Sequence, residues 1–374
     1  MGRSDRKVGL VRPSWIEVDL AAVRANVASI AAEVAPAEIC AVVKADGYGH
    51  GDVPIAEAAL EAGATRLAVA LASEGIGLRE AGIEAPVLLL SEPLVEDVPE
   101  VVRWRLTPTV YHRPLLDALV AAAPPGYPVH VKVDTGMHRV GATPDAAVEL
   151  ATAVAAGPLD LEGLWTHFPV AESDPGYTTT QVEAFDAVVK RLADRGVRPR
   201  LRHAANTAGA LNDPAARYDF VRIGIGLYGL RPAPDFAPDV ALRPAMRVMS
   251  RVVHLQRLPA GARPSYGRRR PLAHESTVAT VPVGYADGLT RHLGAAGGGA
   301  LVRGRRYPFA GTITMDQALI DLGDDPVAVG DEVVFLGHQG DAEITADEWA
   351  DRLDTINWEV VCGFGPRLPR RYVG

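Results

Sequence analysis

Ile39-Cys40-Ala41-Val42-Val43, followed by Lys44 and the loop Ala45-Asp46-Gly47-Tyr48-Gly49-His50-Gly51, reads as a strand entering a tight turn. The apolar run is continuous, as expected of a strand covered on both faces. Helical spacing follows over 53–63, with Pro54 suited to a first turn. Working outward, the same alternation recurs. Apolar runs at 67–70, 87–90, 107–110, 129–133, 161–165, 201–204 and 220–224 are separated by Ala/Leu/Glu/Arg-rich helical stretches. Thr143-Pro144 and Asp213-Pro214 punctuate two of them. Eight such units in succession read as a (β/α)8 barrel. An earlier helix over 21–34 follows Ile16-Glu17-Val18-Asp19.

Past Arg231 the texture changes. RPAPDFAPD (231–239) is Pro-rich and reads as a linker. Beyond it lie β-type runs at 246–258, 276–285, 300–322 and 327–336, with one helical stretch near 345–353. GAAGGG (294–299) reads as a short flexible loop. The expected fold is therefore α/β. A (β/α)8 barrel over 14–238 is followed by a mostly β domain over 239–374, with residues 1–13 pairing with the second domain.

Composition excludes several functions. The chain has 374 residues and a formal charge of −8, which disfavours nucleic-acid and anionic-membrane partners. Two cysteines, Cys40 and Cys362, are too few for a disulfide framework or a cysteine-rich zinc site, and no metal is expected. The first residues carry no apolar signal-like core and no run of about 18 apolar residues occurs. A cytoplasmic enzyme is the expectation.

Lysine is scarce: only Lys7, Lys44, Lys132 and Lys190 occur. Lys44 ends the first barrel strand, where barrel enzymes carry catalytic groups. The glycines beside it let backbone approach a ligand closely. A partly desolvated amine there becomes nucleophilic toward a carbonyl, which is the chemistry that holds pyridoxal phosphate. GIGLYG (224–229) matches G-x-G-x-x-G formally. It follows the eighth strand and precedes the linker, however, so a phosphate cradle fits better than a dinucleotide site.

VKADGYGHG (43–51) resembles the cofactor-lysine signature of the alanine racemase family. The resemblance continues through KVDTGMHRVG (132–141), THF (166–168), HAANTAGA (203–210), RIGIGLYG (222–229), SYG (265–267), VGYADG (283–288) and TMDQ (314–317). It implies a pyridoxal 5'-phosphate-dependent isomerase that interconverts L- and D-alanine, working as a homodimer with shared active sites. Lys44 would hold the cofactor and act as base on one face of the substrate. Tyr266, lent by the partner subunit, would act on the other face. One base removes the Cα proton and the other returns one, which is what racemisation requires. The family supports its tyrosine with a histidine and an arginine, matched here by His167 and Arg222. Arg222 would also face the pyridine nitrogen and, having only donors, would keep that nitrogen unprotonated.

The same resemblance assigns cofactor contacts to Tyr48, Asn206, Thr207, Arg222 and the backbone of Gly224 and Ile225. Substrate-side positions fall on Arg139, Met315, Tyr285 and Thr314. Lys132 matches a lysine that some members carry as a carbamate. Three departures stand out. Thr314 occupies a position where cysteine is usual, Ile223 replaces a common proline, and Pro366 replaces a tyrosine that contacts the phosphate. Loss of that phenol widens the substrate side, so the alternative expectation is a racemase or epimerase acting on a different, larger amino acid in a biosynthetic pathway. A decarboxylase on this scaffold is opposed by Arg222 and Tyr266. A single-barrel cofactor carrier is opposed by the extra β domain.

Overall fold

A computed structural model describes residues 12–374 and divides the chain into two units. Residues 1–11 lie outside the described residues, and with them most of the segment expected to pair with the β domain.

The first unit, Leu20–Pro244, contains eight parallel strands. After β1 (Ser14–Asp19), which belongs to the other unit, come β2 (Glu38–Val42), β3 (Arg66–Val69), β4 (Val87–Leu89), β5 (Thr109–Val110), β6 (Pro128–Lys132), β7 (Asp160–Trp165), β8 (Leu201–His203) and β9 (Phe220–Ile223). They pair as β4-β3-β2-β9 and β5-β6-β7-β8. One seam is closed by a parallel bridge between Leu88 and Thr107. At the other, Asp219 N donates to Arg202 O and Arg222 N to Ala205 O. The eight strands thus form the expected barrel, within a residue or two of the apolar runs.

Helices begin where caps allow. Thr143 Oγ1 accepts from Ala146 N ahead of the helix Pro144–Ala156, and Asp174 Oδ1 from Tyr177 N ahead of Pro175–Asp194. Each cap precedes a proline that suits the first helical position. The apolar faces of these helices, including Val148, Val154, Phe185 and Leu192, pack with Val129 and Val131 of β6 in one core. Each such buried side chain contributes roughly 1.5–3 kcal/mol.

The second unit comprises the segment ending at Asp19 together with Ala245–Gly374. Its strands are β10 (Met246–Arg251), β11 (His254–Leu258), β12 (Ser276–Val281), β13 (Gly299–Val302), β14 (Arg305–Pro308), β15 (Ala318–Asp321), β16 (Glu332–Gln339), β17 (Ala342–Ile344) and β18 (Arg370–Val373). One sheet runs β14-β13-β16-β10-β1-β18 with β17 on β16, and a second runs β11-β12-β15.

The unit boundaries differ from the sequence reading at both ends. β1 pairs antiparallel with β10, Ile16 opposite Val248, and parallel with β18. Ile16-Glu17-Val18-Asp19 alternates apolar and polar residues, and alternation does not say which sheet a strand joins. The barrel unit starts at Leu20 rather than 14. It also extends past 238, because the Pro-rich stretch is knotted: Arg231 donates to the carbonyls of Phe236, Ala237 and Val240, and Asn26 bonds Arg243 in both directions. GAAGGG is not a slack loop either. A Cβ at Gly299 would meet Tyr307 O at 2.1 Å and one at Gly298 would meet Leu293, so close packing dictates these glycines. Among the described residues no helix is long and apolar enough to cross a membrane.

Candidate active site

Lys44 stands two residues beyond β2, at the start of a left-handed turn. Ala45, Asp46, Gly47 and Tyr48 all have φ of 53–58°, and Gly49 follows at 79°. Non-glycine residues in this region cost about 1–3 kcal/mol each, so the turn persists only because its surroundings hold it. Two side chains do so. Glu74 accepts from Ala45 N at 2.7 Å while its other oxygen accepts from Ala70 N and Leu71 N, tying the loop after β2 to the loop after β3. Buried His50 directs Nδ1 at the carbonyls of Gly47 and Tyr48, 3.1 and 3.0 Å away, which fixes that nitrogen as the protonated one. Neither role was legible in the sequence. Glu74 sits in an ordinary helix, and only the handedness of the turn makes it necessary.

Tyr48 leads from this turn to the loop after β9. Its ring stacks on Tyr228, and a Cβ at Gly224 would lie 2.5 Å from its hydroxyl. Thr207 Oγ1 accepts from Gly224 N at 3.2 Å and Gly226 N at 3.4 Å. Asn206 caps the short helix that Thr207 opens, accepting from Gly209 N, and donates to Phe168 O. Ile225 is buried in the turn that follows Gly224. Hydroxyls of Tyr48 and Thr207 and the backbone N–H groups of Gly224 and Gly226 therefore share one small space that only glycine leaves open. That cradle suits a phosphate.

Arg222, on β9, is 2% exposed. Nη2 donates to Thr166 O and Ala204 O, both at 2.8 Å, and lies 3.1 Å from His167 Nδ1. Nη1 lies 2.6 Å from His203 Nδ1. A guanidinium only donates, so His203 Nδ1 accepts from Nη1 and that ring carries its proton on Nε2. Nη2 has two hydrogens for three acceptors, so His167 Nδ1 shares one of them with a carbonyl, and the same orientation leaves its proton on Nε2. From His203 the order continues down the barrel interior. His203 Nε2 donates to His130 Nδ1 at 2.9 Å, and His130 Nε2 to Glu162 Oε2 at 3.0 Å. Gly163 makes this passage, since a Cβ there would lie 2.2 Å from His130 Nδ1. Every link points away from Arg222, and the chain ends on a carboxylate that can only accept.

The electrostatics follow from burial. His167 is driven well below its ordinary value by burial first and then by Arg222, Lys132, Arg139 and Lys44, so it is neutral near pH 7. His203 is lowered likewise by burial and Arg222. Burial pushes Arg222 itself down to about 9, and its acceptor-only surroundings keep it charged at neutral pH. Lys132 ends β6 with Nζ 4.2 Å above the Trp165 ring centroid. Burial, then Arg222 and Arg139, lower its amine to about 7. Arg139 is exposed on the loop after β6, where Asp134 gathers the backbone N–H groups of Gly136 and His138.

The Lys132 shift fixes a pH dependence. Below about 7 both folded and unfolded chains carry the proton and the burial penalty is complete. Between about 7 and the ordinary 10.5 the unfolded chain alone binds it, so stability rises with pH across that window. Lys132→Met should flatten the rise of Tm from pH 7 to 9 relative to wild type. Parallel curves would show that Lys132 is not desolvated.

Apart from Ile223, the other sequence-derived positions lie on the β unit. Tyr266 is 74% exposed on a turn where Ser265 and Arg268 have φ of 68° and 44°. Thr312 Oγ1 donates to Tyr266 O, and Ser265 Oγ to Thr312 O. Tyr285 and Met315 are also exposed, and Tyr285 N donates to Thr314 O at 2.9 Å. The Thr314 hydroxyl is spent locally, donating to Gln317 O. Pro366 is exposed, and Ile223 is a buried end-residue of β9 opposite Ala41. No group of His, Cys, Asp or Glu among the described residues could hold a metal ion.

Residues 18–232 match the family model "Alanine racemase, N-terminal domain", and 245–372 match "Alanine racemase, C-terminal domain". The alanine racemase of Symbiobacterium thermophilum is 45% identical over 371 residues, covering 97% of this chain and 98% of that protein. Among solved structures, the alanine racemase from E. faecalis superposes with a TM-score of 0.92 at 39% identity, covering 98% of this chain and 100% of that one. The alanine racemase of Bacillus anthracis with bound L-Ala-P gives 0.92 at 36%, covering 98% and 96%.

Proposed function

The chain belongs to the alanine racemase family, and from that premise we propose that it is a pyridoxal-phosphate-dependent enzyme interconverting L- and D-alanine, with Lys44 and Tyr266 as its two bases. One observation carries this reading. The family match runs through both domain models, so the segment bearing Tyr266 is retained beside the one bearing Lys44. A carrier built on the barrel alone has no use for the second. Relatives named alanine racemase over nearly the full length favour alanine over a larger amino acid, despite Pro366 and Thr314.

The residues present suit the cofactor. Tyr48, Thr207, Gly224 and Ile225 would hold its phosphate, with Asn206 fixing the helix start behind them, and Lys44 its aldehyde carbon. Arg222 would donate to its ring nitrogen. When bound, the cofactor supplies an electron sink that acidifies the amino-acid Cα–H bond. A guanidinium donates hydrogen bonds without readily giving up a proton, so Arg222 would leave the ring nitrogen unprotonated and the sink weak. Side reactions that need a long-lived carbanion are thereby disfavoured.

Lys44 takes or gives the Cα proton on one face. On the other face the phenol of Tyr266 does the same, contributed by a second copy of the chain. His167 presents Nε2–H once its Nδ1 accepts from Arg222, and a donor in that position stabilises a phenolate oxygen. Arg139 and, across the dimer, the N–H of Met315 from the second copy bind the substrate carboxylate, while Tyr285 lines the access corridor. Lys132, its amine lowered to about 7 by burial and Arg222, presents near neutral pH the uncharged form that adds CO2, and a carbamate there would place a negative charge beside Arg139. The cytoplasm, where alanine and free cofactor meet, is the proposed location.

Chiral chromatography tests the reading. Incubated with pyridoxal phosphate and L-alanine, the protein should yield D-alanine until the enantiomers are equal, and should turn over serine and lysine far more slowly. Faster turnover of either would move the assignment to the larger-substrate alternative.

A further inference from the structure

In the β unit three loops converge on one buried carboxylate. Asp287 has no exposed surface. Its Oδ2 accepts from Gly284 N at 2.9 Å, and its Oδ1 from Arg12 Nη1 at 2.8 Å. Arg367 Nε lies 3.3 Å from the same Oδ1. The outer end of Arg367 donates through Nη2 to Asp316 Oδ1 at 2.6 Å. Two carboxylates and two guanidiniums thus balance, and Arg367 spans from the turn 283–288 to the loop 314–317.

The loops are also in backbone contact. Cβ atoms at Gly284 would lie 2.3 Å from Thr314 O, and at Gly288 2.5 Å from Gly363 O. Tyr285 N donates to Thr314 O at 2.9 Å and Ala286 N to Met315 O at 3.0 Å. Thr314 C=O and Met315 N–H belong to a single planar peptide. Pinning the carbonyl to Tyr285 therefore aims the Met315 N–H.

We propose that Asp287, acting through Arg367, is a positioning residue that aims the Met315 N–H and the Tyr285 ring at the substrate. This rests on the substrate role given above to Met315 and Tyr285. A buried ion pair is a poor source of stability, because desolvation offsets most of its attraction. Its value here is geometric: two acceptors and two forked donors fix three loops in one arrangement. The Arg367 position follows Pro366, so the residue lost from the family pattern adjoins the one that organises the wall.

The test uses the holoenzyme. Arg367→Met removes the span at a side chain that is 44% exposed, which spares the fold. The alanine KM should rise about tenfold with kcat changed by less than about threefold, the signature of lost uniform binding. Asp316→Asn should move KM the same way, and the double variant no further than Arg367→Met alone. Arg367→Lys, which keeps the charge but not the fork, should recover part of the loss. Amide hydrogen exchange at 284–287 and 314–317 should quicken in Arg367→Met. The exchange measurement needs no turnover, so it reads the ordering of the two loops even where the activity assigned above fails. Unchanged exchange overturns the proposal, and so does faster exchange with an alanine KM within about twofold of wild type.

Discussion

Lys44→Ala should lose racemase activity by about four orders of magnitude or more, together with the absorbance of the covalently held cofactor. The count of amines makes this a sharp expectation. The Lys190 side chain is exposed, 2.7 Å from Asp194, and Lys7 lies outside the described residues. The serious rival is Lys132. Its value, lowered to about 7, makes it an available nucleophile near neutral pH, and it shares the electrostatic neighbourhood of Arg222 and Lys44. Geometry argues against it. Lys132 is 4% exposed, with its amine against the Trp165 ring. Lys44 opens the turn that also carries Tyr48 toward the Gly224 cradle, so aldehyde and phosphate can be held from one segment. Borohydride reduction of the wild-type holoenzyme followed by peptide mapping should place the cofactor on Lys44. Recovery of the label on Lys132, or a Lys44→Ala protein that keeps the absorbance band, would transfer the role and with it the proton chemistry.

The turn at Lys44 also shows what the sequence could and could not convey. The barrel was legible because eight apolar runs alternate with amphipathic helices, and that pattern has few other packings. Lys44 was legible from the scarcity of lysine and its place at a strand end, the cradle glycines from GIGLYG, and Arg222 through motif resemblance. The handedness of residues 45–49 was not, since alanine and aspartate give no sign of positive φ. Without it, Glu74 and His50 are an ordinary helix acid and a loop histidine. The sequence reading also missed the path from His203 through His130 to Glu162. These three residues come from three successive strands, 32 to 73 residues apart, and nothing in their local sequence shows that their side chains meet inside the barrel. β1 was assigned to the wrong unit because a strand's alternation records that one face is buried, never which neighbour buries it.

Tyr266→Phe should have the second large effect, and an asymmetric one. Removing a positioned acid–base group costs about 10²–10⁴ in rate. With Lys44 intact, one enantiomer of alanine should still exchange its Cα hydrogen with deuterated solvent and retain its configuration, while exchange from the other enantiomer collapses. Undiminished exchange from both would end the two-base assignment. The position of Tyr266 strengthens the expectation that this phenol works on a neighbour. Tyr266 is 74% exposed on a turn held by Thr312 and Ser265, so its phenol is accessible to another molecule. In a twofold dimer with shared sites, one site would combine Lys44 of one subunit with Tyr266 of the other. Mixing inactive Lys44→Ala and Tyr266→Phe proteins in equal amounts, with subunit exchange, would then create one intact site in each mixed dimer. Half the dimers are mixed and half their sites are whole, so about one quarter of wild-type turnover should return. If both residues served the same subunit's site, every site in the mixture would lack one of them, and no activity would reappear at any mixing ratio.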